Sequence, residues 1–182
     1  MPESNPPPAD AAVRQTVGWF DAIVILGRKV TDRRARAHNL RVARLCVRIG
    51  RQLSMSAKEL RLLARAGLLH DVGSHQGVAD PSGRELRAIL YQHERLDGSG
   101  FPHGLRGDAI PIEARILGVA DTYDELISER AGQQPMTPPE ARRYLEAQAG
   151  RRFDPKVVRA LVAAAGRRRG KANRTTRRIL AF

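Results

Sequence analysis

Residues 66–73 of the chain read AGLLHDVG, and this stretch decides how the rest of the sequence is interpreted. A histidine and an aspartate, His70 and Asp71, stand side by side at the end of an apolar run. An ionised carboxylate among leucine and valine side chains needs a cation or a full set of hydrogen bonds, because burying an unpaired charge is costly. The pair therefore indicates a metal site. A hydrogen-bonded core histidine beside a capping aspartate would give the same dipeptide.

Helical signals stand on both sides of this stretch. Ser56 and Glu59 form a capping box that predicts a helix over residues 57–70. Upstream, apolar residues at helical spacing predict a helix over 32–53, with His38 on its inward stripe. The same signals predict further helices over residues 11–28, 82–94, 110–128, 137–149 and 154–165. Residues 94–111 contain too much glycine and proline for regular structure.

The composition agrees with this helical pattern. Aromatic residues make up 4% of the 182 residues, which disfavours a sandwich of short strands. We expect an all-α protein in which about six to seven helices form a bundle over residues 31–166. A disordered segment over 1–10 and a helix over 11–30 are predicted before it, and a basic tail over 167–182 after it.

The cysteine count, the apolar runs and the net charge indicate where the protein acts and what it binds. Cys46 is the single cysteine, so an intrachain disulfide is excluded. No apolar run reaches the roughly 20 residues that span a bilayer, and the first residues lack the features of a signal peptide, so we expect no membrane insertion and a cytoplasmic location. The net charge of +13 favours anionic partners. Part of that excess lies in the tail, which therefore predicts non-specific binding of an anion such as nucleic acid.

Four candidate metal ligands come from three of the predicted helices. They are His38, His70, Asp71 and Asp121. Imidazole and carboxylate donors without a cysteine cluster suit Mn, Fe or Mg better than a structural zinc. Such an ion can orient a phosphate and lower the pKa of a bound water, which is the chemistry of phosphoester hydrolysis.

The order of these residues resembles that of the HD phosphohydrolase superfamily. In addition, residues 92–126, QHERLDGSGFPHGLRGDAIPIEARILGVADTYDEL, are similar to the signature of its HD-GYP subfamily. Gly100, Phe101 and Pro102 stand where that subfamily has Gly-Tyr-Pro. The similarity extends over roughly residues 35–165, most of the chain, and a run of this length is specific.

The resemblance implies an HD-domain helical bundle and hydrolysis of the bacterial second messenger cyclic di-GMP or a related phosphodiester. It implies a divalent metal centre held by the four residues named above, with His93 as an additional candidate ligand. The departures described below reduce the expectation to one ion per chain. Asp71 and His70 would carry the catalysis. The implied substrate contacts are Arg130, Gly98, Gly100, Phe101 and Pro102. A diguanylate cyclase (GGDEF) domain is an implied protein partner, and the helix over 11–30 is a candidate for pairing two chains into a homodimer.

The sequence also departs from the subfamily. Ser74 stands in place of a lysine that assists at the phosphate, and Gln92 in place of the first of two adjacent histidines. A segment of some thirty residues with a further ligand histidine normally lies between the HD pair and this position, and it is missing here. These losses fall on the ligands of a second or third ion. A divergent single-ion phosphohydrolase, a module that binds cyclic di-GMP or a signalling protein without turnover, and a scaffold with an anion-binding tail therefore remain alternatives.

Overall fold

The computed structural model describes residues 33–71, 83–129 and 134–166, and over these ranges it confirms the all-α fold. The described helices are α1 (Arg33–Gln52), α2 (Ala57–Leu69), α3 (Arg84–Leu90), α4 (Ile112–Ile127), α5 (Pro138–Ala147) and α6 (Pro155–Gly166). These ranges contain no strand and show only isolated bridges such as the one between Asp97 and Arg106. The predicted N-terminal segments and the basic tail lie outside the described residues. No described helix has the length and apolar character needed to cross a bilayer.

Helices α1 and α2 pack at very short range because of a glycine. A Cβ atom added to Gly67 would lie 2.6 Å from the Cα of Ala43, so no larger residue fits there without a shift. The Asn39 side chain donates to the carbonyl of Leu68 at 3.1 Å and joins the same two helices. This close crossing brings His38 on α1 and His70, which directly follows α2, to the same end of the helix pair.

Helix α4 lies at the centre of the bundle and packs against each of the other five described helices. The sequence predicts an apolar stripe on this helix, of which Ile116, Val119 and Tyr123 are buried. The other members of the stripe are partly buried against the core: Ile112, Leu126 and Ile127. The rest of its buried surface is less expected, because Glu113, Asp121 and Asp124 are also buried. Three buried carboxylates on one helix need partners, and two of them lie at the end of the bundle where His38 and His70 meet.

Capping signals place most helix boundaries correctly. The capping boxes of Ser56 with Glu59 and of Thr137 with Glu140 are both formed, with each glutamate accepting from the backbone amide of its partner. Before α6, the Asp154 side chain accepts hydrogen bonds from the amides of the first turn. These interactions stabilise helix ends and fix where the chain enters each helix.

The prediction for α3 is wrong at its C-terminal end. The helix ends at Leu90, and the residues up to Glu94 form turns rather than the predicted helix. The buried carboxylate of Glu94 explains this, because it accepts hydrogen bonds from the amides of His103 at 2.7 Å and Leu105 at 3.0 Å. Gly83 occupies the N-cap of this helix. The predicted loop also contains a short 3₁₀ turn, Gly107–Ala109.

Candidate metal centre

Three of the four predicted ligands converge on one point. Potential ligand atoms of His38, His70 and Asp121 all lie within 4.8 Å of one another. The Nε2 atoms of the two histidines are 3.2 Å apart, and Oδ1 of Asp121 is 3.3 Å from each of them. The helices that supply these groups are separated by up to 83 residues of sequence, so only the tertiary fold brings them together.

Asp71 borders this group from the solvent side. Its carboxylate oxygens lie 3.4 Å from Nε2 of His38 and 3.5 Å from Nε2 of His70, and its side chain is 50% exposed. His70 and Asp121, in contrast, are buried. The arrangement is a carboxylate at the mouth of a site whose floor is an imidazole pair and a second carboxylate.

The hydrogen bonding of the group fits a metal ion. Oδ1 of Asp121 is buried and accepts no hydrogen bond of acceptable geometry. Buried oxygens without a partner are rare in folded proteins, and each calls for a ligand or an explanation. His70 Nδ1 donates to the carbonyl of Gly67 at 2.9 Å, so its Nε2 lone pair is directed toward Asp121. Two imidazole nitrogens and carboxylate oxygens form a donor set that Mn, Fe or Mg accepts.

The charges of the group are strongly coupled. The carboxylates of Asp121 and Asp124 raise the pKa of His38 to about 9. Burial of His70 disfavours its protonated form, but the Asp121 carboxylate outweighs this and raises its pKa as well. Burial also disfavours the ionised form of Asp121, yet the two imidazoles hold the pKa of its carboxyl below the ordinary value. Because a divalent ion binds neutral imidazole, ion binding here must release protons.

Sequence reasoning missed two residues beside the group. His38 Nδ1 donates to Oδ2 of Asp124 at 2.7 Å. Arg41 binds the same carboxylate with two hydrogen bonds of 2.8 and 2.9 Å. The Asp124 side chain is buried, whereas that of Arg41 is 43% exposed. The spacing of three residues between His38 and Arg41, and between Asp121 and Asp124, was the available signal, because residues three apart share a helix face.

The remaining predicted ligand, His93, lies apart from the group. Its ring stacks on Phe101 with the ring centroids 4.7 Å apart, and burial lowers its pKa. Among the described residues it does not belong to the cluster of converging ligand atoms. Gln92, which precedes it, is buried and donates to the carbonyl of His70 at 3.3 Å.

The predicted substrate contacts lie mainly in the loop after α3. Phe101 is 61% exposed at its tip. Gly98 has a φ of +77°, which favours glycine, and Gly100 passes so close to His93 and Glu94 that an added Cβ would lie 2.4 Å from their backbone atoms. Both glycines are therefore explained by loop geometry, and their substrate role remains a prediction. Arg130 and Ser74 lie outside the described residues.

Comparison with known proteins supports the resemblance. The family described as HD domain matches residues 82–157, a range that includes Asp121 but begins after the HD pair. A cyclic di-GMP phosphodiesterase response regulator, RpfG of Xanthomonas campestris, is 37% identical over 150 residues, covering 63% of this chain and 39% of the relative. The 3'3'-cGAMP-specific phosphodiesterase 3 of Vibrio cholerae is 31% identical over 191 residues, covering 86% of this chain and 42% of the relative.

A solved structure shares the fold. The crystal structure of a cyclic GMP-AMP specific phosphodiesterase of V. cholerae aligns with a TM-score of 0.60 and 21% identity, covering 79% of this chain and 48% of the other. The chain thus spans less than half the length of the relatives described here. The HD-domain match, the sequence relatives and the shared all-α fold agree, and we conclude that the chain carries an HD domain similar to that of HD-GYP phosphodiesterases, in a shortened form.

Proposed function

We propose that the chain is a metal-dependent phosphohydrolase that acts on a cyclic dinucleotide, cyclic di-GMP or a close relative, with one divalent ion. The observation that carries this proposal is the convergence of His38, His70 and Asp121, with a buried oxygen of Asp121 that accepts no hydrogen bond. A group of this kind, open to solvent on the side of Asp71, suits an ion that must also reach a substrate.

The names of the relatives support the substrate class. They are phosphodiesterases for cyclic di-GMP and for 3'3'-cGAMP, two cyclic dinucleotides. The resemblance to the HD-GYP subfamily includes the loop with Phe101, which supplies an exposed aromatic ring that suits stacking on a base. Because the substrates named for the relatives differ in their bases, the proposal covers both cyclic dinucleotides.

The side chains of this centre have separable roles in the proposed reaction. His38, His70 and Asp121 would hold the ion, and Asp71 would complete the set from the solvent side. A divalent ion supplies two things, a lower pKa for water and polarisation of the phosphate. Asp71 is half exposed and lies next to both imidazoles, and it would orient the attacking water and accept its proton. Arg130 would hold the phosphate, as the resemblance implies.

Two observations support a single ion at this site, one on Gln92 and one on the alignment with a relative. Gln92 stands at a position of a family ligand and uses its amide nitrogen on the carbonyl of His70. The alignment to the Vibrio cholerae phosphodiesterase runs over 191 positions, more than the 182 residues of this chain, although it includes 86% of them. That relative therefore has positions without a counterpart here, and the predicted loss of a ligand-bearing segment after Asp71 would account for some of them.

The test is hydrolysis of cyclic di-GMP and 3'3'-cGAMP by the purified protein with Mn, Fe or Mg, followed by chromatography of the products. We expect metal-dependent cleavage of at least one of them. His70→Ala and Asp71→Ala should abolish it, whereas Glu146→Gln, an exposed acid on α5, should retain it. Equal turnover by Asp71→Ala and the unmutated protein would contradict the proposal.

One observation favours a second candidate, a module that binds a cyclic dinucleotide without turnover. His93 is held against Phe101 rather than among the ligand atoms, so the described residues provide one ion site and not the pair that clamps both oxygens of a displacement. In that case cyclic di-GMP should still bind to Asp71→Ala, and Phe101→Ala should weaken the binding. Equilibrium dialysis with the labelled dinucleotide distinguishes the two candidates. A GGDEF-domain partner, a homodimer and an anionic partner of the tail stay predictions.

A further inference from the structure

His38 is held from behind by the buried carboxylate of Asp124, which pairs with the partly exposed side chain of Arg41. Its Nδ1 donates to Oδ2 of Asp124 at 2.7 Å, while Nε2 faces His70 and Asp121. Only 1% of the Asp124 residue is exposed. A hydrogen bond at Nδ1 settles which ring nitrogen carries the proton, and so leaves Nε2 with its lone pair free to bind an ion.

Asp124 is in turn fixed by groups from two helices. Arg41 on α1 donates to both carboxylate oxygens, at 2.8 and 2.9 Å, in the paired geometry that favours guanidinium. The same guanidinium donates to Oγ of Ser128 at 3.1 Å, and that hydroxyl donates to Asp124 at 3.3 Å. A carboxylate with this many fixed contacts has one orientation, and it sets the plane of the His38 ring.

The charges of these residues are also matched to an ion. Arg41 offsets the charge of Asp124 through the paired hydrogen bonds. With the imidazoles of His38 and His70 neutral, the remaining negative charges around the ion site are those of Asp71 and Asp121. One divalent cation neutralises them. Without Arg41, the third carboxylate would add repulsion among buried acids, because like charges at short range in a low dielectric are costly.

We propose that Asp124, fixed by Arg41, is the positioning residue of the metal centre: through its contact with Nδ1 it orients the His38 ring so that Nε2 binds the ion. This inference rests on the proposed metal site but not on turnover. Asp124 touches neither the ion nor the substrate in this proposal. It acts through His38, so its removal should change ion affinity and the environment of His38 specifically.

The test is cobalt binding to the full chain, followed by visible absorption and by proton NMR of the cobalt-loaded protein. Asp124→Asn should weaken cobalt binding by about 10- to 100-fold, the usual effect of losing a residue that orients a ligand. The NMR spectrum supplies an internal control. The exchangeable Nδ1 proton of His38 should be lost or broadened in the variant, while that of His70, which donates to the carbonyl of Gly67, should persist.

A matched variant separates positioning from general destabilisation. Asp154 is also buried and also pairs with an arginine, Arg115, at 2.9 Å, but it lies at the start of α6 and outside the cluster of ligand atoms. Asp154→Asn should leave cobalt affinity and both histidine signals unchanged. Unchanged cobalt affinity in Asp124→Asn, or an equal loss in Asp154→Asn, would overturn the proposal.

Two further outcomes are informative. If Asp124→Asn does not fold, Arg41→Lys keeps the charge but loses the paired hydrogen bonds. It should then weaken cobalt binding several-fold, and an unchanged affinity would count against the proposal.

Cobalt binding needs no substrate, so the proposed role of Asp124 and the proposed function can fail separately. Suppose that the cobalt affinity depends on Asp124 but the protein hydrolyses no cyclic dinucleotide. This result would contradict the proposed function and leave the role of Asp124 intact.

Discussion

Two buried carboxylates, Glu94 and Asp121, show how the same chemical group can serve structure or chemistry. Glu94 and Asp121 are nearly equally buried, with 5% and 7% of each residue exposed. Both oxygens of Glu94 accept backbone amides, which closes the loop over residues 94–105. Oδ1 of Asp121 accepts none and faces two imidazole nitrogens instead. A satisfied buried acid is part of the scaffold, and an unsatisfied one next to histidines is a candidate ligand.

Replacing Asp121, the candidate ligand, tests the difference between the two acids most strongly. Asp121→Asn should abolish the stabilisation that a divalent ion gives the protein, because the remaining donors no longer balance its charge. For an ion at about 100 times its dissociation constant, that stabilisation is about 2.7 kcal/mol. Thermal unfolding with and without Mn measures it. Without ion, the variant also loses the attraction between Asp121 and the two imidazoles, so the readout is the difference that Mn makes to each protein. Equal stabilisation of both proteins by Mn would contradict the role of Asp121 as a ligand.

The opposite result is expected for the scaffold acid. Glu94→Ala removes a charged acceptor from two amides at once, which should lower the free energy of unfolding by about 2 to 4 kcal/mol. Urea denaturation reports this value, and Glu146→Ala on an exposed face is its control. The variant should still bind an ion while folded. Loss of ion binding before loss of structure would mean that the loop and the metal centre are not separate.

A third variant tests the contact between the two regions. An added Cβ at Gly118 on α4 would lie 2.4 Å from the carbonyl oxygen of Gln92, so Gly118→Ala forces the backbone apart. We expect a cost of about 1 to 3 kcal/mol in unfolding free energy. Gly166→Ala is the matched control, because nothing lies within 4 Å of its added Cβ. Equal stability of the two variants in urea would show that this contact is not tight.

The smallest effect is expected far from both acids. Thr137 caps α5 together with Glu140, and Thr137→Ala should cost about 1 kcal/mol. Its ion affinity should match that of the unmutated protein, as measured by cobalt titration. A change in ion affinity would indicate coupling between α5 and the metal centre that the described contacts do not contain.

Local signals in the sequence predicted the helices well. Capping boxes and apolar periodicity placed the starts of α2 and α5 and the core stripe of α4, because these depend on neighbours within one or two turns. The end of α3 was mispredicted because Glu94 is held by amides nine and eleven residues later. A tertiary contact of this kind overrides local helical propensity.

The sequence predicted the candidate ligands of the site but not the residues that hold these ligands in place. His38, His70 and Asp121 were found because histidines and acids on apolar stripes are unusual, and the family resemblance gave the same residues. Asp124 and Arg41 were missed because an acid and an arginine on a helix are ordinary surface residues in a sequence. Only the packing of α1 against α4 shows that Arg41 pairs with the buried carboxylate of Asp124.

The central claim is that the centre holds one divalent ion, and the direct measurement is the ion content per chain. Elemental analysis of the protein after reconstitution with Mn and desalting gives this number, with His70→Ala as the control. We predict close to one ion per chain in the unmutated protein and none in His70→Ala. No ion in either protein would contradict the account, and two ions per chain would contradict its single-ion form.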